Sequence, residues 1–206
     1  MHRPTALLLM ALLPAVAFAG SKKEEKQREK ELQSRVKAVS AISLQLEEDL
    51  RAGLFRSTHL EIGGGQNPLD YEVVFKGGTE ADWARDPYAA PFTIRRITVG
   101  TVLPATGPAT ASFVWDDAGS IAFVHVTGPD ISLMNALTTT PTDDLKIYYE
   151  AGVPFRVVLT GVTWDLPSPT DSSASPTPEQ EAARRAAEQL QTRALYLAEA
   201  FTNLTK

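Results

Sequence analysis

Short segments of β-forming residues separated by turn residues fill the middle of the chain. They are rich in Val, Ile, Thr, Phe, Tyr and Trp, and Gly, Pro, Asn and Asp separate them. Most connections are too short for the crossover helix that parallel strands require, so we expect an antiparallel meander of six or seven strands. The predicted strands are 58–62, 71–76, 92–103, 111–115, 121–127, 145–149 and 155–164.

Several of these strands carry bulky apolar side chains on both faces. Ile121 and Phe123 alternate with Ala122 and Val124, for example. In a sheet with one solvent-exposed face, apolar and polar residues alternate more regularly than they do in these strands. We therefore expect the second face of the sheet to be covered.

Two helical segments at the ends of the chain can supply that cover. Residues 20–56 contain no proline and are dominated by helix formers, with an apolar stripe that starts at Leu32. Residues 179–206 follow Pro178 and alternate spacings of three and four between apolar positions. These positions are Ala183, Ala187, Leu190, Ala194, Leu197, Phe201 and Leu204. We expect both helices to lie on the sheet; the alternative is a coiled coil, formed with each other or between protomers.

The predicted fold class is therefore α+β, with a long N-terminal helix, an antiparallel β domain over 57–166 and a C-terminal helix. Residues 167–178 are rich in Pro, Ser and Thr, a composition that buries little surface and is typical of a linker. The C-terminal helix is expected to be reached through this linker.

The first 19 residues have the pattern of a cleavable export signal. Arg3 precedes an apolar run, and Ala17-Phe18-Ala19 forms a small-x-small cleavage site, which predicts cleavage after Ala19. The run is shorter than the roughly 20 residues of a spanning helix, and charged sequence follows it, so no stable membrane anchor is expected. The predicted location is the periplasm or the extracellular medium.

Charge and cysteine content restrict the partners of the chain. It has 25 acidic and 20 basic side chains, a net charge of −5, which gives no reason to expect nucleic acid as a partner. It contains no cysteine. An exported chain of this kind must be stabilised by its core instead of by disulfides.

No motif of useful specificity predicts a catalytic site, a metal or a cofactor. His59 and His125 have no second His or Cys nearby, whereas zinc takes three or four such ligands. No Gly-x-Ser-x-Gly elbow supports a serine hydrolase. The pairs Asp116-Asp117 and Asp143-Asp144 are interpreted as turn carboxylates, although a two-carboxylate hydrolase, with Glu72 and Glu150 as further acids, stays open because its acids meet only in space.

Two groups of apolar residues are the candidates for contact with a ligand or a partner. Trp83 and Tyr88 lie in a polar loop, where we expect exposure. Leu190, Leu197 and Phe201 lie on the stripe of the C-terminal helix, which could contact a protein partner or a second copy of the chain.

Two predicted hairpins look alike. Segments 113–126 and 147–158 each run from an aromatic strand through an acidic residue and Ala-Gly into a Val-rich strand, and the second contains Tyr148-Tyr149. The sequence here resembles uncharacterised exported bacterial proteins with tandem Tyr-Tyr-x-x-Gly type hairpins. The resemblance implies a meandering sheet and no particular activity. From the residues alone, Gly119 and Gly152 are expected in turns with positive φ.

These observations leave three hypotheses for function. The first is a non-enzymatic interaction or structural protein of the bacterial cell envelope, based on the amphipathic helices. The second is a carrier of a small ligand or lipid in an apolar cavity between sheet and helix. The third is an envelope hydrolase that uses paired carboxylates.

Overall fold

The computed structural model describes residues 14–62, 69–77, 92–103, 107–128, 144–170 and 175–204. It contains two long helices and eight strands. The helices are α1 (Pro14–Arg51) and α2 (Pro178–Leu204), and the strands are β1 (Arg56–Ile62), β2 (Leu69–Lys76), β3 (Thr93–Leu103), β4 (Gly107–Trp115), β5 (Ile121–Thr127), β6 (Asp144–Glu150), β7 (Val153–Leu159) and β8 (Val162–Asp165).

The strands form one antiparallel sheet in which every strand pairs with its neighbours in sequence, in the order β1 to β8. The predicted α+β class and the antiparallel meander are therefore confirmed. The described residues form eight strands, instead of the predicted six or seven, because the segment predicted as one strand over 155–164 is two strands. Thr160 and Gly161 both have positive φ, 44° and 86°, which is the geometry of a tight two-residue hairpin.

The two look-alike hairpins turn where their Ala-Gly pairs predict. Gly119 has φ 79° and Gly152 has φ 77°. The turns differ in length, because residues 116–120 separate β4 from β5 whereas only Ala151 and Gly152 separate β6 from β7. They also differ in conformation, because Ala151 has positive φ, 49°, and Ala118 does not. A non-glycine residue in this region is strained unless its side chain is Asn or Asp.

One face of the sheet, here called the α2 face, is apolar across most of its strands. The register aligns one buried residue from each of six neighbouring strands into a single row. The row comprises Val73, Ile97, Phe113, Val124, Ile147 and Val157, each at most 2 % exposed. The stripe of α2 packs against this row, with Ala183, Ala187, Leu190 and Ala194 fully buried. Because α2 lies along the sheet over several turns, its apolar residues must recur at spacings of three and four along that length.

Polar contacts determine where the start of α2 lies. Thr177 and Gln180 form a reciprocal capping box: the Gln180 amide N–H donates to Thr177 Oγ1 at 3.2 Å, and the Thr177 N–H donates to Gln180 Oε1 at 2.9 Å. The Gln180 side chain also donates to the Asp165 carbonyl at 2.7 Å. The end of the predicted linker is thereby attached to β8.

The middle of α2 is held by a buried tyrosine. The Tyr149 hydroxyl donates to the Ala187 carbonyl at 2.8 Å, and Gln191 Nε2 donates to the Gly152 carbonyl at 2.9 Å. Burial, and then the nearby Glu188 carboxylate, raise the pKa of Tyr149 far above its ordinary value. The hydroxyl therefore stays protonated and keeps its donor role.

The opposite face, here called the α1 face, has a smaller apolar cluster. Leu46 of α1 and Phe55 pack with Val74 and Val114, and Phe123 borders this group. Cations lie over the Phe55 ring, with Arg95 Cζ at 5.6 Å and Lys76 Nζ at 5.9 Å from its centroid. The last part of α1 therefore covers one part of this face.

The chain divides into two compact units, residues 1–38 and residues 39–206. In the first unit the side chains of residues 22–31 are exposed, as their charge predicts. Helix α1 starts at Pro14 and runs through the predicted cleavage position after Ala19, so cleavage would shorten the helix at its start. Among the residues described, no helix is long and apolar enough to span a membrane.

Leu190 and Leu195 provide a matched test of how α2 docks. Leu190 is fully buried and Leu195 is 55 % exposed on the same helix. We expect Leu190→Ala to lower the free energy of unfolding by about 3 kcal/mol, through lost burial and a cavity, and Leu195→Ala by less than about 0.5 kcal/mol. Urea unfolding of both variants measures the difference; equal effects would contradict docking of the stripe.

The strained turn residue offers a second test. Ala151→Asn places a residue that tolerates positive φ before Gly152, and we expect it to stabilise the protein by about 0.5 kcal/mol. Ala118→Asn is the control, since Ala118 does not have positive φ and the same substitution should give no gain. Thermal unfolding midpoints compare the two variants, and a gain at Ala118 alone would overturn the assignment.

Candidate functional site

A row of polar side chains crosses the α1 face of the sheet. The register places one residue from each of six neighbouring strands in line on this face. This set, here called the polar row, comprises His59, Glu72, Thr98, Ser112, His125 and Lys146. Such a row brings together polar residues that are distant in sequence, so it is a candidate for a catalytic or binding site.

Arg96 joins the polar row to helix α1. Its side chain is 14 % exposed, pairs with Glu72 Oε2 at 3.1 Å through Nη2, and forms a second ion pair with Glu47 of α1. The Arg96 guanidinium is largely shielded from water, and the two carboxylates, which are partly exposed, compensate its positive charge. Arg96 therefore attaches the helix to β2 and β3.

At the other end of the row, Asp144 lies between two basic groups. Its Oδ1 is 2.6 Å from His125 Nε2, and its Oδ2 accepts a hydrogen bond from Lys146 Nζ at 2.7 Å. Burial acts to raise the pKa of Asp144, but the hydrogen bonds and charges of Lys146 and His125 outweigh it and hold the pKa below its ordinary value. The carboxylate is therefore charged at neutral pH.

Ser112 lies directly opposite His125 in the register, so a serine, a histidine and an aspartate occur on neighbouring strands. Acyl transfer also needs N–H donors for the developing oxyanion. The backbone N–H groups of these central strands are used in the ladder with their neighbours. We therefore interpret this end of the polar row as a structural network.

Four of the acids considered for a two-carboxylate hydrolase, Glu72, Asp116, Asp117 and Asp144, each contact a different partner. Asp116 Oδ1 accepts the Ser120 N–H at 2.8 Å in a turn, and Asp117 pairs with Arg95. Glu72 and Asp144 are engaged as described above, and Asp143 lies outside the described residues. Within the described ranges no three His, Cys, Asp or Glu side chains are placed to hold a metal ion.

An apolar groove lies on the α2 face, where the end of α2 reaches β1, β2 and β3. Its volume is about 130 Å³. The lining consists entirely of apolar and aromatic residues: Leu60, Tyr71, Val73, Ile97, Leu197, Ala200 and Phe201. Three neighbouring strands provide one wall and the last turns of α2 provide the other.

Three phenylalanines surround the end of the groove that Phe201 lines. Phe201 lies 6.2 Å from Phe75 and 5.8 Å from Phe92, measured between ring centroids, and Phe75 and Phe92 are 5.8 Å apart. Two of these pairs are edge-to-face, a favourable arrangement. The cluster therefore packs against Phe201, which lines the groove.

The predicted contact residues of the C-terminal helix occupy two different environments. Leu190 is fully buried between α2 and the sheet, whereas Leu197 and Phe201 line the groove. Trp83 and Tyr88 lie outside the described residues. The structure therefore brings two of the five candidates together.

Sequence reasoning did not identify Leu60, Tyr71 and Ala200 as site residues. Leu60 and Tyr71 are direct partners in the β1–β2 register, and Ala200 lies on the turn of α2 that faces them. Strand alternation alone places Leu60 and Tyr71 on apolar faces. Which helix turn meets them depends on how α2 docks, and no local pattern encodes that.

Comparison of the chain with protein families, with curated proteins and with solved structures finds no match.

The Asp144 network gives a pH-dependent prediction. The pKa of Asp144 is lower in the folded protein than in the unfolded chain. The charged carboxylate therefore stabilises the fold at any pH above its unfolded pKa, and this stabilisation is lost as the pH falls through its folded pKa. We expect the wild type to exceed Asp144→Asn in unfolding free energy at neutral pH, by less than about 1 kcal/mol because the carboxylate is partly exposed. The difference should narrow below about pH 4. Urea unfolding across this range measures it, and a constant difference would contradict the network.

Proposed function

We propose that this protein is a non-enzymatic, exported interaction protein of the bacterial cell envelope whose contact surface is the apolar groove at the end of α2. The groove itself carries the proposal. It is a concave surface lined mainly by apolar and aromatic side chains from β1, β2, β3 and α2, and it lies beside the buried core between α2 and the sheet. Apolar concavities of this kind are typical of binding sites.

The size of the groove favours contact with a macromolecule. Its volume of about 130 Å³ is close to the roughly 150 Å³ at which an engineered cavity accepts benzene, and is below the roughly 300 Å³ of the smallest drug-sized ligand pockets. The groove therefore accommodates one or two apolar side chains of a partner. Apolar anchors inserted into small pockets are the usual centres of protein interfaces.

An exposed tyrosine extends the surface beyond the groove. Tyr196 is 68 % exposed and lies one helical turn before Ala200, on the same side of α2. Tyrosine is enriched in interfaces because its ring is apolar and its hydroxyl is polar. Tyr196 would contact a partner that is anchored in the groove.

A carrier of small ligands or lipids is the second candidate. The mainly apolar lining supports it, since Tyr71 is the one groove residue whose side chain has a polar group. A groove of this volume would hold only part of an acyl chain. Export belongs to the same proposal and is supported by the predicted signal peptide over residues 1–19.

A substitution that fills the groove tests the proposed function. Ala200 is exposed and lines the groove, so Ala200→Trp adds bulk there without removing a core side chain. We expect this variant to bind the probe 1-anilinonaphthalene-8-sulfonate about tenfold more weakly than the wild type, a loss of about 1.4 kcal/mol. Fluorescence titration measures both affinities.

Gln189→Trp is the matched control for that titration. Gln189 is exposed on the same helix and does not line the groove. It adds the same indole ring to α2, and probe affinity should stay at the wild-type value. Equal affinities of all three proteins, or equal losses in both variants, would refute the groove as a binding surface.

A further inference from the structure

Strand β1 is an edge of the sheet. Among the described residues it pairs with β2 on one side only, over seven residues in continuous register. The N–H and C=O groups on its outer side form a template for a further strand. The other edge, β8, has four residues and offers a shorter template.

The sequence of β1 lacks two of the features with which edge strands avoid pairing, proline and a bulge, although it carries the charged residues Arg56 and Glu61. A regular seven-residue edge is long enough for a ladder of several hydrogen bonds. Every second residue of β1 directs its N–H and C=O groups to the outer side of the strand. A partner must be an extended polypeptide to present its own N–H and C=O groups at the same spacing along the whole edge.

The groove is continuous with this edge. Leu60 belongs to β1 and lines the groove together with Tyr71 of β2 and Leu197 of α2. Alternate side chains of a strand added to β1 would lie on the α2 face, next to Leu60. Apolar side chains at those positions would enter or border the groove.

The α1 face of the same edge is acidic. Glu61 and Asp70 are direct cross-strand partners and both are exposed. In the described part of the chain no basic side chain pairs with either of them. Like charges in directly opposite positions destabilise a strand pair. A basic side chain on the neighbouring position of an added strand would relieve this repulsion.

We propose that the partner is an extended polypeptide segment that pairs with β1 as a ninth strand and carries an apolar-basic-apolar pattern. The basic residue would lie opposite Glu61 on the α1 face, and the apolar residues on either side would lie on the α2 face at the groove. This inference rests on the proposed function, because it uses the groove as the anchor for the partner. It specifies the partner by its backbone conformation and its charge.

A second copy of this chain fits the edge less well. In an antiparallel β1–β1 pair, residues of the same face lie opposite each other, so Glu61 would meet Ser57, His59 or Glu61. None of these is a lysine or an arginine. Arg56 lies on the other face of the strand, next to Phe75 in the register.

Calorimetric titration with capped nonapeptides tests the charge pattern. One peptide has Val-Lys-Val at its centre and the other has Val-Glu-Val, with the rest of the sequence identical. We expect the wild type to prefer the lysine peptide and Glu61→Lys to prefer the glutamate peptide, with each affinity changed about fivefold. Glu188→Lys makes the same charge change on exposed α2 and should keep the wild-type preference.

N-methylation of the peptide tests strand addition without altering the protein. Two versions of the lysine peptide carry N-methyl groups on alternate residues, in odd or in even positions. Only one set removes N–H groups that face β1, so one version should lose at least about tenfold in affinity and the other should bind nearly as the parent does. Equal behaviour of the two versions would overturn strand addition.

The outcomes separate this inference from the proposed function. If 1-anilinonaphthalene-8-sulfonate binding depends on Ala200 but neither nonapeptide binds, the inference fails and the groove remains a binding surface. If sedimentation shows a dimer that Glu61→Lys dissociates, a second copy occupies the edge and the inference is overturned. Binding of the lysine peptide with both the charge reversal and the alternating N-methyl effect supports it.

Discussion

Burial of the α2 stripe on the sheet is the interaction on which the rest of the structure depends. Six residues in one row of the sheet are at most 2 % exposed, and the buried residues of α2 pack against them. An antiparallel sheet without this helix would expose a continuous apolar surface. In a chain without disulfides, apolar burial of this kind is the main source of stability.

The two faces of the sheet differ in the residues that they present to the helices. The α2 face is apolar across most of its strands, whereas the α1 face combines a small apolar cluster with the polar row. Ionic groups on the α1 face are engaged locally: Arg96 with Glu47 and Glu72, and Asp144 with His125 and Lys146. These groups stabilise the packing of α1 and the alignment of the central strands.

The groove follows from the path of α2 over the sheet. The helix starts next to β8, where Gln180 contacts Asp165, and its last turns reach β1 and β2 at Leu60 and Tyr71. Packing is dense where the helix crosses the central strands and less complete at the edge. A helix end that meets an edge strand thus produces an apolar concavity beside a strand edge that pairs with no further strand among the described residues. These are the two features on which the proposed peptide site depends.

The sequence by itself determined the elements of this protein. Helix stripes, strand alternation and the Ala-Gly turns at Gly119 and Gly152 depend on residues close in sequence, and the predicted class agrees with the structure. The capping box was also present locally, in the spacing of Thr177 and Gln180, and the prediction missed it. Only the tertiary structure decided which carboxylate meets which base, and that Leu60, Tyr71 and Ala200 line one groove with Phe201. These contacts depend on strand register and on where α2 docks, and both result from the summed packing of residues far apart in the chain.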